Sequence, residues 1–346
     1  MKLVSVAEMK SIEAEADARG LSYAEMMDRA GEGVAQAVRA ATAHSHEGER
    51  RVAGLVGPGN NGGDALVALE SLSQDGWTAR AYLVQRKAER DALVSRLQDA
   101  GGEVMAADSD PEYELLRQWV AESDVLIDGL LGTGLKLPLR GTVPQVLAAI
   151  QETEGLPMVV AVDCPSGADS DTGEAAPETL RADLTVCMAA VKTGLLKFPA
   201  CALTGELVIV DLGLPAGLKS WEGVQSYVVT EDRVRGLLPA RPDDAHKGTF
   251  GTATLVVGSV NYTGAALLAG EAAYRSGTGL VRLAVPSPLH SPLAGQLPEA
   301  IWLLLPHEDG VISGQGADLV FEHLGGTTAV LLGCGWGREE ATGDFL

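Results

Sequence analysis

Three short stretches of the chain collect residue types suited to chemistry. The first, GPGNNGGD at residues 57–64, places Gly57, Gly59 and Gly62 in the spacing G-x-G-x-x-G, directly after an apolar run ending at Val56. Glycine permits positive φ and close ligand approach, and asparagine tolerates the left-handed region. Successive N–H groups in such a turn, followed by a helix start, attract anions. An ordinary dinucleotide site also needs an acidic residue after the next strand to hold a ribose. Here that run, ARAYLV, ends in Gln85, Arg86 and Lys87. With no catalytic-histidine motif either, a dinucleotide oxidoreductase is disfavoured. Asp64 can alternatively cap a helix, with Asn60 and Asn61 as turn formers.

The second stretch, DVLIDGLLGTGLKLPLRG, sets Asp128 at the end of an apolar run, with Gly132, Thr133, Gly134, Lys136 and Arg140 beyond it. The third, MVVAVDCPSGADSDTG, sets Asp163 in the same relation to another run. If these runs are parallel strands, all three stretches meet at the carboxyl edge of one sheet, where open α/β sheets bind ligands. Each aspartate also has a plain reading as a turn or cap residue. Two carboxylates with the Asn61 amide and the Ser166 hydroxyl form a hard-oxygen set for an alkali or alkaline-earth cation. Asp163 could instead move protons. An ordinary aspartate, near pH ~3.9, is too strong an acid for that unless burial raises its pKa. Lys192, in VKTGLL, reads equally well as a phosphate ligand or as a solvated lysine.

The elements that must hold these residues follow from hydrophobic periodicity. Residues 5–41 carry a helical pattern of Met9, Ile12, Ala16, Met26, Met27, Ala30, Val34 and Val38, read as core. Short apolar runs follow at Arg51–Val56, Arg80–Val84, Val125–Ile127, Met158–Val162, Leu184–Met188 and Leu207–Val210. Helical stretches near 64–74, 87–99, 112–121 and 143–151 separate the earlier ones. That alternation predicts a mostly parallel three-layer αβα sheet, whose last strands, with little helix between them, finish it differently. A Pro- and Asp-containing stretch at 216–245 reads as a linker. A second α/β rhythm then starts, with strands at Thr254–Val257, Leu280–Val285 and Ala329–Leu332 and a helix over 264–276.

The 346-residue length suggests about two domains. A net charge of −21 and a pI near 4.6 argue against nucleic-acid or anionic-membrane partners. An anionic ligand would have to be drawn in locally, by backbone N–H groups. No signal peptide or membrane span is read, and the four scattered cysteines suggest free thiols in the cytoplasm. His44 and His46 read as solvated loop residues, so zinc chemistry is not expected.

Taken together, EMKSIEAEA with MMDRAG, GPGNNGGDALVA, DGLLGTGLKLPLRG, AVDCPSGADSDTG and ADLTVCMAAVKTGLL ending in GELVIVDLGLP make residues 1–215 resemble the YjeF N-terminal domain, the NAD(P)H-hydrate epimerases. Ala65 departs from the glycine usual there. Residues 246–346 resemble the start of an ADP-dependent NAD(P)H-hydrate dehydratase with a ribokinase-like fold, on HKGTFGTATLVVGSVNYTGAALLAGEAAYRSGTGLVRLAVP and LLGCGWGR. The resemblance implies a Rossmann-like three-layer αβα N-terminal domain followed by an incomplete ribokinase-like α/β domain, as in bifunctional hydrate-repair enzymes.

The implied substrate is NADH or NADPH hydrated at C6, with the R and S forms interconverted. Asp163 is the implied acid/base, and Asn61, Asp128 and Ser166 the implied potassium ligands. Asn60, Asn61, Gly62, Gly63, Asp64, Gly132, Thr133, Gly134, Leu135, Lys136, Leu137, Pro138 and Asp163 would contact the hydrate, and Ala265 and Gly335 a substrate of the second domain. ADP or ATP would serve dehydration of the S form, an activity expected to be missing because the second domain reads as incomplete. The alternative is a non-catalytic nucleotide-binding scaffold of the same N-terminal type. A homo-oligomer is left open.

Overall fold

Each apolar run finds a neighbour in the computed structural model, which describes residues 1–43 and 48–346; His44 and His46 lie outside the described residues. The chain divides into two units, Met1–Leu237 and Leu238–Leu346. In the first, the elements run β1 (Leu3–Val4), α1 (Val6–Ala18), α2 (Tyr23–Thr42), β2 (Arg51–Val56), α3 (Asn60–Gln74), β3 (Thr78–Leu83), α4 (Ala92–Asp99), β4 (Glu103–Ala106), α5 (Glu114–Glu122) and β5 (Val125–Gly129). They continue with α6 (Thr142–Gln151), β6 (Met158–Val162), β7 (Leu184–Met188), β8 (Val191–Lys192), β9 (Glu206–Val210), α7 (Lys219–Glu222) and α8 (Glu231–Leu237).

The amino-terminal helical pattern is two helices. Ser5 with Glu8 and Ser22 with Glu25 form reciprocal capping boxes that start α1 and α2. Gly20, at φ +98°, turns the chain between them. Seven parallel strands follow the order β4-β3-β2-β5-β6-β7-β9. One apolar layer joins Val34 and Val38 of α2 and Leu66 and Leu69 of α3 to the sheet. The other joins Trp119 of α5 and Leu147 and Ile150 of α6 to the opposite face. Burial on both faces explains the near-continuous apolar strands.

Three details differ from expectation. The last strands do not finish the sheet differently: β7 and β9 pair in parallel, joined through short 3-10 turns at Thr193–Leu196 and Ala200–Ala202 rather than through a helix. The edge strand β4, with a partly polar sequence, gives too weak an alternation to be read. The pair β1–β8, two residues each, is too short for any periodicity, yet it sets Leu3 against Val191 and Val4 against Lys192.

The second unit contains β10 (Thr252–Val256), α9 (Thr263–Arg275), β11 (Leu280–Pro286), α10 (His290–Leu293), β12 (Ile301–Leu305), β13 (His307–Glu308), β14 (Val311–Ile312), α11 (Gly316–Glu322), β15 (Ala329–Leu332) and α12 (Glu340–Phe345). Four parallel strands take the order β12-β11-β10-β15. Among the described residues of either unit, no helix is long and apolar enough to cross a membrane.

Leu69 measures how tightly the first sheet is packed, because a Cβ at Gly54 of β2 would stand 2.6 Å from its Cδ1. With Leu69 fully buried, Leu69→Ala is expected to lower unfolding stability by about 2–5 kcal/mol, read by urea denaturation.

Candidate active site

Strand order reverses between β2 and β5, and the crevice there opens at the carboxyl ends of the strands. The 57–64 turn leaves β2, Asp128 is the penultimate residue of β5, and Asp163 directly follows β6. The three stretches singled out by chemistry therefore do share one edge. In the turn, the Gly57 N–H donates to the Gly129 carbonyl at 3.2 Å. A Cβ on Gly57 would overlap the Leu130 carbonyl oxygen, and one on Gly62 would overlap the Gly57 carbonyl oxygen. Close backbone approach, not positive φ, is what demands glycine at these two positions. Gly59 caps α3, so the helix begins at Asn60, and Asp64 is not its N-cap but lies a turn inside it. Ala65 is helical and buried, so no left-handed backbone is asked of it.

Asn61, Asp128 and Ser166 form one cluster. Asp128 is fully buried, and its two oxygens accept from the Ser166 N–H at 2.8 Å and the Ser166 hydroxyl at 2.5 Å. The Asn61 amide donates to the Val162 carbonyl at 2.5 Å and the Leu131 carbonyl at 3.3 Å. Its Oδ1 lies over Gly132, where any Cβ would overlap it. Burial raises the Asp128 pKa, and the hydrogen bonds from Ser166 and Leu130 only partly oppose it. Among the described residues every donor to Asp128 is neutral. A buried carboxylate beside amide, hydroxyl and carbonyl oxygens, with no cationic side chain bonded to it among the described residues, fits an alkali cation.

Asp163 is managed differently. Its backbone sits at φ 64°, fixed by an N–H donated to the Val186 carbonyl at 2.8 Å. Its Oδ1 accepts from the Met188 N–H at 2.9 Å and pairs with the buried Lys192 ammonium. Lys192 also donates to the Met188 and Ala190 carbonyls, at 3.1 and 3.2 Å. It is therefore neither a solvated lysine nor free for phosphate. Burial is the largest single influence and works against the ammonium, but the Asp163 charge and hydrogen bond, with smaller contributions from Cys187 and Cys164, together outweigh it and raise the Lys192 pKa. The flanking thiols of Cys164 and Cys187 are pushed up by burial to about 12.

Asp64 completes the group. It is 6% exposed and lines a cavity of about 120 Å³ with Glu13, Asn60, Met188 and Leu212 among its other walls. Burial first, then the charges of Asp163 and Glu13, raise its pKa well above the ordinary value. Glu13 is raised too, by burial more than by Asp163, with Lys192 opposing. Glu13 and the Lys192 ion pair were not found by sequence reasoning. The signal was faint: an acidic residue beside the core positions Met9, Ile12 and Ala16 of α1.

The segment from Gly132 to Pro138 leaves the same edge, with Thr133, Leu135 and Leu137 half-buried and Gly134, Lys136 and Pro138 exposed. In the second unit Ala265 and Gly335 abut at the β10/β15 crevice. A Cβ on Gly335, whose φ is +77°, would overlap that of Ala265. The neighbouring cavity, about 430 Å³, is lined by Tyr262, Trp336 and Arg338 among others.

Comparison with known proteins adds to this geometry. Residues 23–194 match the family described as YjeF-related protein N-terminus, and residues 253–346 the family described as NAD(P)H-hydrate dehydratase. The chain is 35% identical, over 99% of its own length and 64% of the relative's, to the bifunctional NAD(P)H-hydrate repair enzyme Nnr of Thermofilum pendens. It is also 35% identical to the Nnr of Salinibacter ruber, over 94% of this chain and 62% of that one. It thus spans less than two thirds of the length of these curated relatives. Among solved structures, yeast ynu0 superposes with a TM-score of 0.52 at 23% identity, over 60% of this chain and 87% of that one.

Two stability outcomes follow from the buried charges. Lys192→Met leaves Asp163 buried without its cation and is expected to cost about 3–5 kcal/mol in denaturant melts. In the wild type that ion-pair contribution is present below the ordinary lysine value of 10.5 and is lost as pH rises through the higher folded value. Asp64 acts at the other end of the scale. Its raised folded pKa means the native state keeps a proton that the unfolded chain releases above about pH 4. Stability should therefore fall as pH rises from there, and Asp64→Asn should remove much of that slope in urea melts run at increasing pH above about 5.

Proposed function

Because the chain belongs to the YjeF-related proteins, and carries after that domain a segment of the NAD(P)H-hydrate dehydratase family, we propose that its first unit epimerises C6-hydrated NADH and NADPH. The observation that carries this reading is Asp163, a carboxylate held by Lys192 and Met188 at the carboxyl end of β6, the strand next to the β2/β5 switch point. In the hydrate, the C6 hydroxyl lies beside the ring nitrogen. The nitrogen lone pair can expel it, leaving an iminium and, once the hydroxyl has taken a proton, water. Water returning to the opposite face of C6 gives the other epimer, and the electron pair of the C=N bond goes back to nitrogen. The Asp163 oxygen not bonded to Lys192 is the one available to take the proton from that water.

The glycine turn would present backbone N–H groups to the cofactor phosphates, offsetting the repulsion expected of a chain with net charge −21. Asn60, Gly62, Gly63 and the segment from Gly132 to Pro138 would wall the hydrate. Asn61, Asp128 and Ser166 would hold potassium, whose charge balances Asp128 and adds positive potential beside the phosphates.

For the second unit we infer a narrower role, with Ala265 and Gly335 against the hydrate and ADP or ATP as the nucleotide. Val330 and Leu332 of the edge strand β15 are half exposed, 48% and 52%, whereas parallel strands normally lie covered on both faces. Adding ADP or ATP to purified S-hydrate with the chain tests this reading of the second unit, and loss of S-hydrate would support it.

The direct measurement is chromatographic, following purified R-hydrate with and without the protein. Asp163→Asn is expected to lower the enzymatic rate by about 10²–10⁴-fold. A wild-type chain no faster than the spontaneous reaction would favour the non-catalytic scaffold. Replacing potassium by a bulky organic cation at constant ionic strength should lower the rate or the affinity. Asp128→Ala should remove that cation dependence.

A further inference from the structure

Epimerisation through an iminium needs two proton transfers, one to the departing hydroxyl and one from the arriving water. Asp163, paired with an ammonium, is set up to accept. Nothing assigned so far donates.

Two carboxyl groups, Asp64 and Glu13, line the 120 Å³ cavity, and among the described residues the Asp163–Lys192 ion pair behind Met188 acts on both through its charges. Asp64 comes from α3, Glu13 from α1 and Asp163 from the turn after β6, while Lys192 comes from β8. Lys192 spends its charge on Asp163. Glu13 is partly open to solvent. Asp64 is more than nine-tenths buried, lines the cavity, and makes no side-chain hydrogen bond or ion pair with any described residue. An isolated carboxylate in that position would be severely penalised, and a neutral acid would not. Tyr23, the other titratable group on the cavity wall, comes from α2 and brings no positive charge to neutralise it. Met188 joins the two aspartates: its N–H holds Asp163, and the residue itself lines the cavity beside Asp64.

We propose that Asp64 is the second catalytic residue of the epimerase, a neutral acid that works opposite the ionised Asp163. This rests on the epimerase reading above. In the R-to-S direction, the Asp64 carboxyl gives its proton to the C6 hydroxyl oxygen as the C6–O bond breaks and the nitrogen lone pair forms C=N. Water leaves. A second water attacks C6 from the other face, its proton passes to Asp163, and the C=N pair returns to nitrogen. The proton has moved from Asp64 to Asp163, and exchange with solvent resets the pair. In the S-to-R direction the roles exchange. Two carboxyl groups with unlike environments thus serve both faces of one ring, as opposed acid and base assignments require.

The test uses the full chain and purified hydrate epimers. Asp64→Asn should lower the enzymatic rate by about 10²-fold or more, while calorimetry shows the equilibrated hydrate mixture still bound. Asp64→Glu should restore part of the rate. In the wild type the rate should fall on the alkaline side as the acid loses its proton, and Asp64→Asn should lack that limb. Carboxyl-labelled aspartate, followed by carbon NMR and assigned with Asp64→Asn, should show Asp64 protonated at neutral pH. An Asp64→Asn chain with near-wild-type rate overturns the proposal. So does a rate lost in Glu13→Gln but kept in Asp64→Asn, which would move the role to Glu13. If Asp64→Asn does not fold, the NMR titration decides, and an ionised Asp64 at neutral pH sinks the idea. A silent wild type defeats the epimerase reading instead, and the NMR titration then tests the protonation of Asp64 by itself.

Discussion

The first unit is organised around keeping one carboxylate charged while it is buried. Asp163 lies at the end of a parallel strand with little water to stabilise it, and Lys192 supplies the compensating charge. Most of the unusual local structure serves that pair. The strand β8 is just long enough to place Lys192, and β1 pairs with it so that Val4 stands across from Lys192. Val4, Met9, Ile12 and Ala16 then pack with Ala190 and Leu218 in a core of their own. An amino-terminal segment that looks peripheral in the sequence therefore seals the ion pair from behind. Without it the ammonium would be solvated and the carboxylate free to move.

Three aspartates at one sheet edge show three ways of treating the same charge. Asp128 is surrounded by neutral donors, and its oxygens are bonded to Ser166 and to backbone. Asp163 has a lysine. Among the described residues Asp64 has neither, and burial pushes its pKa well up instead. Their sequence contexts look alike, each an acidic residue near a glycine, so their chemistry is set by partners that arrive from far along the chain. Ser166 is 38 residues from Asp128, and Lys192 is 29 from Asp163.

That separation explains what could be read beforehand. The glycine turn, Asp128 and Asp163 were legible because each sits where a continuous apolar run stops, and a parallel sheet brings such places together. Asn61 and Ser166 were legible as polar groups at the same sheet edge as Asp128, because each follows closely on an apolar run. Lys192 was not, because a lysine next to valine and threonine gives no sign of whether it faces water or a carboxylate. Glu13 was hidden on an amphipathic helix whose apolar residues carried the signal. The β1–β8 pair and the partly polar β4 were missed because strand periodicity needs more residues, or cleaner alternation, than they have. The start of α3 was misplaced by four residues, since Asn60 and Asn61 look like turn formers until the helix has somewhere to begin.

The thiols beside the ion pair carry a consequence of their own. Cys164 and Cys187 are sealed, with pKa values pushed up to about 12, so as folded they offer almost no thiolate to an electrophile. Cys334 is exposed and Cys201 half-buried. A thiol reagent therefore meets two classes of sulfur on the same chain, one reporting the surface and one reporting the interior. Any opening that lets the reagent reach Cys164 or Cys187 must first separate the layers that enclose Asp163 and Lys192. Their labelling rate is a clock for that local opening, built into the native sequence with no probe introduced.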